Sequence, residues 1–279
     1  MNASAELDPR GVYGFRITGV PGARELLVDA PAHWPSLQIE ARVHPGPDPD
    51  EEFSEESALL PLRSGGWVTV DRAAGLARFW LRAQPTAAAL VHPHLGAAAL
   101  ASAYWLGRES FHAGAFVSGG GVWVVLGERE AGKSTLLASL ALAGIPVVSD
   151  DILVLDGATA MAGPRSVDLR TAAALALGVG EPLGVLGTRE RWRLALPSIE
   201  PELPLRGWIS LQWADETAVR PVRGAERLRR IAAGRGVLLY PRDAGELIEL
   251  STFPVLELAR PRRWEAQGDA IARLLDATV

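Results

Sequence analysis

The stretch Gly127-Glu128-Arg129-Glu130-Ala131-Gly132-Lys133-Ser134-Thr135 fits the phosphate-loop pattern G-x-x-x-x-G-K-[ST] at every fixed position. An apolar run over 122–126 feeds it and predicts a buried strand. The stretch 133–143 leaves it as an amphipathic helix, with Gly144 placed to cap the C-terminal end. Strand, glycine loop and helix in that order define an α/β nucleotide-binding core. Glycines permit the backbone angles that aim successive N–H groups inward at phosphate oxygens, and the helix adds its positive dipole end. On this reading Gly127, Ala131, Gly132, Lys133, Ser134 and Thr135 bind ATP. Lys133 reaches the β- and γ-phosphates, and the Ser134 hydroxyl coordinates Mg²⁺.

Moving outward, Asp150 and Asp151 close the short apolar stretch after that helix. Two carboxylates beside a triphosphate suit two tasks, one holding Mg²⁺ and the other accepting a proton from an attacking hydroxyl. Like charges side by side also raise one pKa, which suits a general base. From position alone, an exposed acidic turn explains Ser149-Asp150-Asp151 equally well. Upstream, residues 112–117 and 122–126 read as two strands joined by the tight turn Ser118-Gly119-Gly120-Gly121. His112 falls on the first of them, and a lone strand histidine is more often structural than catalytic.

The composition supports the loop reading. Of 28 basic residues Lys133 is the only lysine, and it stands where the chemistry wants a compact ammonium on a flexible stem. The net charge of −5 and the lack of a basic stripe interleaved with aromatics argue against a nucleic-acid partner. No cysteine is present, which excludes disulfides, zinc–thiolate sites and cysteine nucleophiles. Residues 1–10 are polar and unlike a signal peptide. The low-charge stretch 87–106 is interrupted by His92, Pro93 and His94 and predicts a buried helix, not a membrane span. A cytoplasmic protein without a membrane partner is expected.

Residues 1–85 form a β-rich unit, with short apolar or alternating runs at 12–18, 37–43, 67–70 and 76–81. The acidic, proline-containing stretch 45–55 predicts an exposed loop. A helix over about 86–106 opens the second unit, 86–279, in which strands and helices alternate; a last helix is expected over 263–277.

Taken together, His112-Ala-Gly-Ala-Phe-Val, Gly127-x4-Gly-Lys-Ser-Thr and Val148-Ser-Asp-Asp resemble HPr kinase/phosphorylase and its smaller HPr-kinase-related relatives, over about residues 107–156. The resemblance implies a fold akin to the nucleotide domain of phosphoenolpyruvate carboxykinase. It also implies phosphoryl transfer from ATP to a serine of a peptide or small protein. By that analogy Asp150 is the base that takes the serine proton, His112 tunes or orients it, and Asp151 joins Ser134 on Mg²⁺. The family association favours a homo-oligomer. Trp105-Leu-Gly-Arg-Glu-Ser-Phe-His112 prompts a narrower likeness, to the HPr-kinase-like enzymes that phosphorylate lasso-peptide precursors. The family's glutamate-containing Arg-Gly-Leu-Gly signature has no counterpart beyond Leu205-Arg206-Gly207-Trp208, so the likeness does not extend to the phosphorylase reaction.

Other residues carry weaker signals. Arg165 follows the acidic stretch closely enough to reach phosphates, and Arg189, Arg191 and Arg193 alternate as a γ-phosphate or acidic-peptide clamp would. A solvated strand face is the commoner meaning of such a run. His92 and His94 have metal-ligand spacing but no evident third ligand. Two other classes of function remain open: an ATPase driving transport or assembly, and a nucleotide-sensing module without turnover.

Overall fold

The computed structural model describes residues 8–44, 49–62, 65–186, 189–236 and 244–279. Its first eight strands are β1 (Arg10–Val12), β2 (Phe15–Thr18), β3 (Val28–Asp29), β4 (Ser36–Val43), β5 (Glu52–Phe53), β6 (Ser57–Pro61), β7 (Trp67–Asp71) and β8 (Leu76–Leu81). They form one sheet in the order β3-β1-β2-β4-β8-β7-β6-β5. Along β8 buried and half-buried residues alternate, as a strand with one face on a core requires. The run at 12–18 is not one strand: Tyr13 and Gly14, at φ 59° and 82°, turn it back on itself as a two-residue hairpin. Of the acidic stretch 45–55, residues 45–48 lie outside the described ones, and the rest is largely exposed around the edge strand β5.

The expected helix over 86–106 is broken in two. The Thr86 hydroxyl accepts the Ala89 N–H at 3.1 Å and starts α1 (Ala87–Ala89). Pro93 then forces the preceding His92 out of the helical region, to φ −146° and ψ 121°. The chain resumes as α2 (Leu95–Trp105). Leu95, Ala98, Ala99 and Ala101 share a core with Trp34, Val68 and Phe79, so this helix packs on the first sheet. Among the described residues no helix is long and apolar enough to cross a membrane.

The chain continues as β9 (Glu109–Phe111), β10 (Gly114–Ser118), β11 (Gly121–Leu126), α3 (Lys133–Leu142), β12 (Val147–Ser149), β13 (Leu153–Asp156) and β14 (Thr159–Met161). Next come β15 (Ser166–Leu169), α4 (Thr171–Leu177), β16 (Glu181–Leu186), β17 (Arg189–Ala195) and β18 (Glu202–Trp213). The chain closes with β19 (Ala218–Pro221), α5 (Ala225–Ala233), α6 (Gly245–Leu250), β20 (Val255–Arg260) and α7 (Gln267–Thr278). The second sheet runs β12-β10-β11-β18-β14-β13-β9, with β20 on β18 and β19 on β20; β15, β17 and β16 make a separate three-stranded sheet.

Two local features set the geometry of the site. Gly119 and Gly120, at φ 56° and 77°, form the two-residue turn that puts β10 beside β11. At the far end of α3, the Ile145 N–H reaches Leu140 O at 3.0 Å and the Gly144 N–H reaches Ala141 O at 3.0 Å, a Schellman stop. β11, β18 and β20 are parallel, so Leu126, Trp213 and Arg260 end on the same edge of the sheet. That edge is where open α/β sheets bind ligands. α3 leaves from it with Leu136, Leu137 and Leu140 buried, and α7 packs against its side.

Candidate active site

The loop 127–134 leaves the end of β11 and enters α3 through Gly132, whose φ of 83° is left-handed. A side chain there would strike Arg260 Nη2 at 2.7 Å and the Trp213 ring at 3.3 Å, so glycine is required on both steric and backbone grounds. Arg260 Nη2 donates to Ala131 O and Gly132 O, each at 3.1 Å, while Nη1 donates to Gln267 on α7 at 2.7 Å. Its guanidinium also lies 5.0 Å from the centre of the Trp213 ring. Burial lowers the pKa of Arg260 to about 10, which leaves it charged at neutral pH. The loop is thus braced from β20, a support that the sequence motif does not reveal. Lys133 is buried, and its ammonium donates to Gly127 O at 2.6 Å and Glu128 O at 3.4 Å inside the loop. Ser134 and Thr135 follow in the first turn of α3.

The two aspartates lie in the turn between β12 and β13, and they have different surroundings. Asp150, 3% exposed, accepts the Ser134 hydroxyl on Oδ1 at 3.0 Å and the Asp168 N–H on Oδ2 at 3.4 Å. Burial, reinforced by the charge of Asp151, raises its pKa from 3.8 to about 7. Asp151 takes a left-handed φ of 69°, and its Oδ1 lies 3.2 Å from His112 Nδ1. Both members of that pair are part-exposed, at 42% and 36%. The resemblance assigned His112 to Asp150; the structure gives it to Asp151. It also moves His112 off the strand, to the corner between β9 and β10, from which the side chain reaches the β12–β13 turn.

Further groups converge here: Asp168 and Tyr13, which carry no signal in the sequence, and Arg193 and His92, whose partners differ from those the sequence suggests. Arg193 holds both oxygens of Asp168, at 2.8 and 2.9 Å, and its Nη2 also donates to His92 O at 2.9 Å. His92 Nε2 lies 3.4 Å from Asp168 Oδ2. Burial lowers the His92 pKa, partly opposed by Asp168, so the imidazole is neutral at pH 7. The ring is here because Pro93 interrupted the helix, and it contacts Asp168; among the described residues the His92–His94 spacing draws no third metal ligand. Tyr13, at the tip of the β1–β2 hairpin, is buried, and its pKa is pushed up by burial and by the fields of Asp151, Asp150 and Asp168. The N-terminal sheet therefore contributes a phenol to the carboxylate cluster, and Tyr13 N–H to Ala162 O at 2.7 Å fastens it there. A non-glycine residue at positive φ is the signal for this tip, and sequence alone does not expose it.

The arginines expected near phosphate separate into two groups. Arg165 is buried, and its nitrogens donate to Pro197 O, Val148 O and Val147 O at 3.0, 3.1 and 2.7 Å. That geometry spends the guanidinium on three carbonyls and does not fit a phosphate contact; Arg165 supports β12. Arg189 and Arg191 sit on β17 on the same face as Arg193; Arg189 feels the charges of Arg170, which is bound to Glu130 at 2.9 Å, and of Arg129 and Glu130 in the glycine loop.

The Ser134 hydroxyl and the Asp150 and Asp151 carboxylates form an all-oxygen donor set of the kind that suits Mg²⁺, an ion that takes one or two carboxylates and fills its shell with phosphate oxygens and water. No group of three histidine, aspartate or glutamate side chains able to hold a metal on their own occurs among the described residues. Fold and site together define a mixed α/β protein whose carboxylate cluster faces a glycine loop at a helix N-terminus. No family model and no curated protein matches the sequence. Among solved structures, the Hpr(Ser) kinase/phosphatase from Coxiella burnetii aligns with 61% of this chain and 95% of its own, at 15% identity and a TM-score of 0.32. At that level of likeness nothing about activity passes from one chain to the other.

Proposed function

We propose that this chain is an ATP-dependent kinase that transfers the γ-phosphate to a serine hydroxyl of a peptide or small protein. The observation that carries the reading is the contact of Ser134 with Asp150, which joins the glycine loop to a carboxylate whose pKa of about 7 suits a general base. Lys133 and the N–H groups of the loop neutralise the phosphates. The acceptor oxygen forms its bond to the γ-phosphorus as the bond to the bridging oxygen of ADP breaks, and the serine proton passes to Asp150. Asp151, steadied by His112, and Ser134 hold Mg²⁺, which when bound neutralises charge on the β- and γ-phosphates. The resemblance at 105–156 points to a ribosomally made precursor of the lasso-peptide kind as acceptor, and to an oligomer.

Mass spectrometry of candidate precursor peptides after incubation with the protein, ATP and Mg²⁺ tests this. A gain of about 80 Da on a serine, absent with Asp150→Asn, is the expected result. Steady ADP release without phosphopeptide would replace the kinase by an ATPase. Nucleotide binding without any turnover would replace it by a sensing module.

A further inference from the structure

One face of β17 carries Arg189, Arg191 and Arg193 in alternation. Arg193 is consumed by Asp168 and so by the site itself. The other two continue outward from it, at about 7 and 13 Å along an extended strand. β15 pairs with β17 through Asp168–Arg193 and Leu169–Trp192, which brings Arg170, the next residue, level with Arg191. Arg129 belongs to the phosphate loop. The pKa of Arg189 is lowered by the charge of Arg170 above all, and by those of Arg129 and Arg191, so Arg189 lies within the fields of the other three.

One carboxylate compensates this patch: Glu130, bound to Arg170. Among the described residues Arg129, Arg189 and Arg191 make no ion pair. Repulsion between like charges costs stability, and on a chain of net charge −5 such a concentration stands out against its background. Arg193 holds Asp168, whose N–H reaches Asp150, so the strand face that carries Arg191 and Arg189 starts beside the site, and its alternation matches the side-chain repeat of an extended polypeptide.

We propose that Arg129, Arg170, Arg189 and Arg191 are the docking site for an acidic segment of the acceptor polypeptide, with aspartate or glutamate at alternating positions on one side of the phosphorylated serine. The proposal rests on the kinase reading for the word acceptor, and on the patch alone for the acidic segment.

The test uses the full chain with ADP and Mg²⁺, so that no turnover is needed. Two fluorescein-labelled serine peptides serve as probes in anisotropy titrations, one with aspartates at alternating positions beside the serine and one with asparagines there. The aspartate peptide should bind about tenfold more tightly than the asparagine peptide, and less so as salt rises. The double variant Arg189→Glu/Arg191→Glu should abolish that preference while leaving ADP affinity and the melting temperature unchanged, since among the described residues neither side chain makes an ion pair that holds the fold. Equal affinity of the wild type for the two peptides, or a preference that survives the double variant, would overturn the docking site. So would a double variant that loses ATP affinity specifically, because the patch would then serve the γ-phosphate. Replacing ADP by ATP separates the two readings: a charge-dependent complex that is never phosphorylated keeps the docking site and removes the kinase.

Discussion

The Ser134 hydroxyl donates to Asp150 Oδ1 at 3.0 Å, which ties the first turn of α3 to the turn after β12. That bond, with the Asp168 N–H on the other oxygen, is the favourable side of an otherwise costly position for Asp150. Its carboxyl is buried among Asp151 and Asp168, and holding it ionised costs on the order of 4 kcal/mol if its pKa is raised from 3.8 to about 7.

The consequence for stability has a definite sign. Between about pH 4 and 7 the folded protein binds more protons at Asp150 than the unfolded chain does, so stability falls as pH rises through that window. Asp150→Asn keeps the shape and an oxygen for Ser134 and removes the charge, with the loss of the long 3.4 Å acceptor contact for the Asp168 N–H. In metal-free buffer this variant should melt above the wild type at pH 8, and the two should converge near pH 4. Wild type melting above the variant at pH 8 would contradict the assignment. In the same variant, phosphate transfer should be lost.

His112 acts on the other carboxylate. Its Nδ1 lies 3.2 Å from Asp151 Oδ1, and Asp151 holds a left-handed backbone that only a few residue types tolerate. His112→Gln should therefore lower activity about ten- to hundredfold and raise the magnesium concentration needed for half-maximal rate. An unchanged magnesium dependence would leave His112 without a connection to the metal side of the site.

Arg165 is a structural residue, and its variants should behave as such. Replacing it by alanine leaves Val147 O, Val148 O and Pro197 O without their donor, at a cost of about 3 kcal/mol or more. Lysine should not rescue it, because one ammonium cannot span the three carbonyls. Chemical denaturation measures the loss, and nucleotide affinity of the folded fraction should stay at the wild-type level. A selective fall in that affinity would return Arg165 to the phosphates.

How much of this was legible in advance follows from how local each signal is. The glycine loop, the Gly119-Gly120 turn and the stop at Gly144 are set by residues within a few positions of one another, and sequence displays them. Strand β8 was visible for the same reason, since its alternation is intrinsic to residues 76–81. The Asp168–Arg193–His92 cluster joins residues 76 and 101 positions from one another in the chain and depends on a break at Pro93. β17 was hard to see because it is strongly charged, and Arg193 looks in sequence like its half-buried neighbours Arg189 and Arg191. Only the register with β15 buries one of the three. Tyr13 is hidden likewise, inside what reads as a continuous strand.

Arg260 is the brace of the glycine loop 127–134, and its effect should be separable from that of the carboxylates. One guanidinium nitrogen serves both Ala131 O and Gly132 O, another serves Gln267, and the plane packs by Trp213. Lysine offers a single charged centre and cannot reproduce that fork. Arg260→Lys should leave the loop less preorganised, so that ATP and ADP both bind about tenfold more weakly. On the proposed mechanism Asp150→Asn should leave both affinities near wild type, since Asp150 is there assigned to the acceptor proton. Trp213, 40% exposed beside the loop, provides the optical readout, and its emission should respond to nucleotide less in Arg260→Lys than in the wild type. Equal nucleotide affinity in the two proteins would mean that the loop holds its shape through its own glycines and the N-terminus of α3, with the contact from β20 adding packing alone.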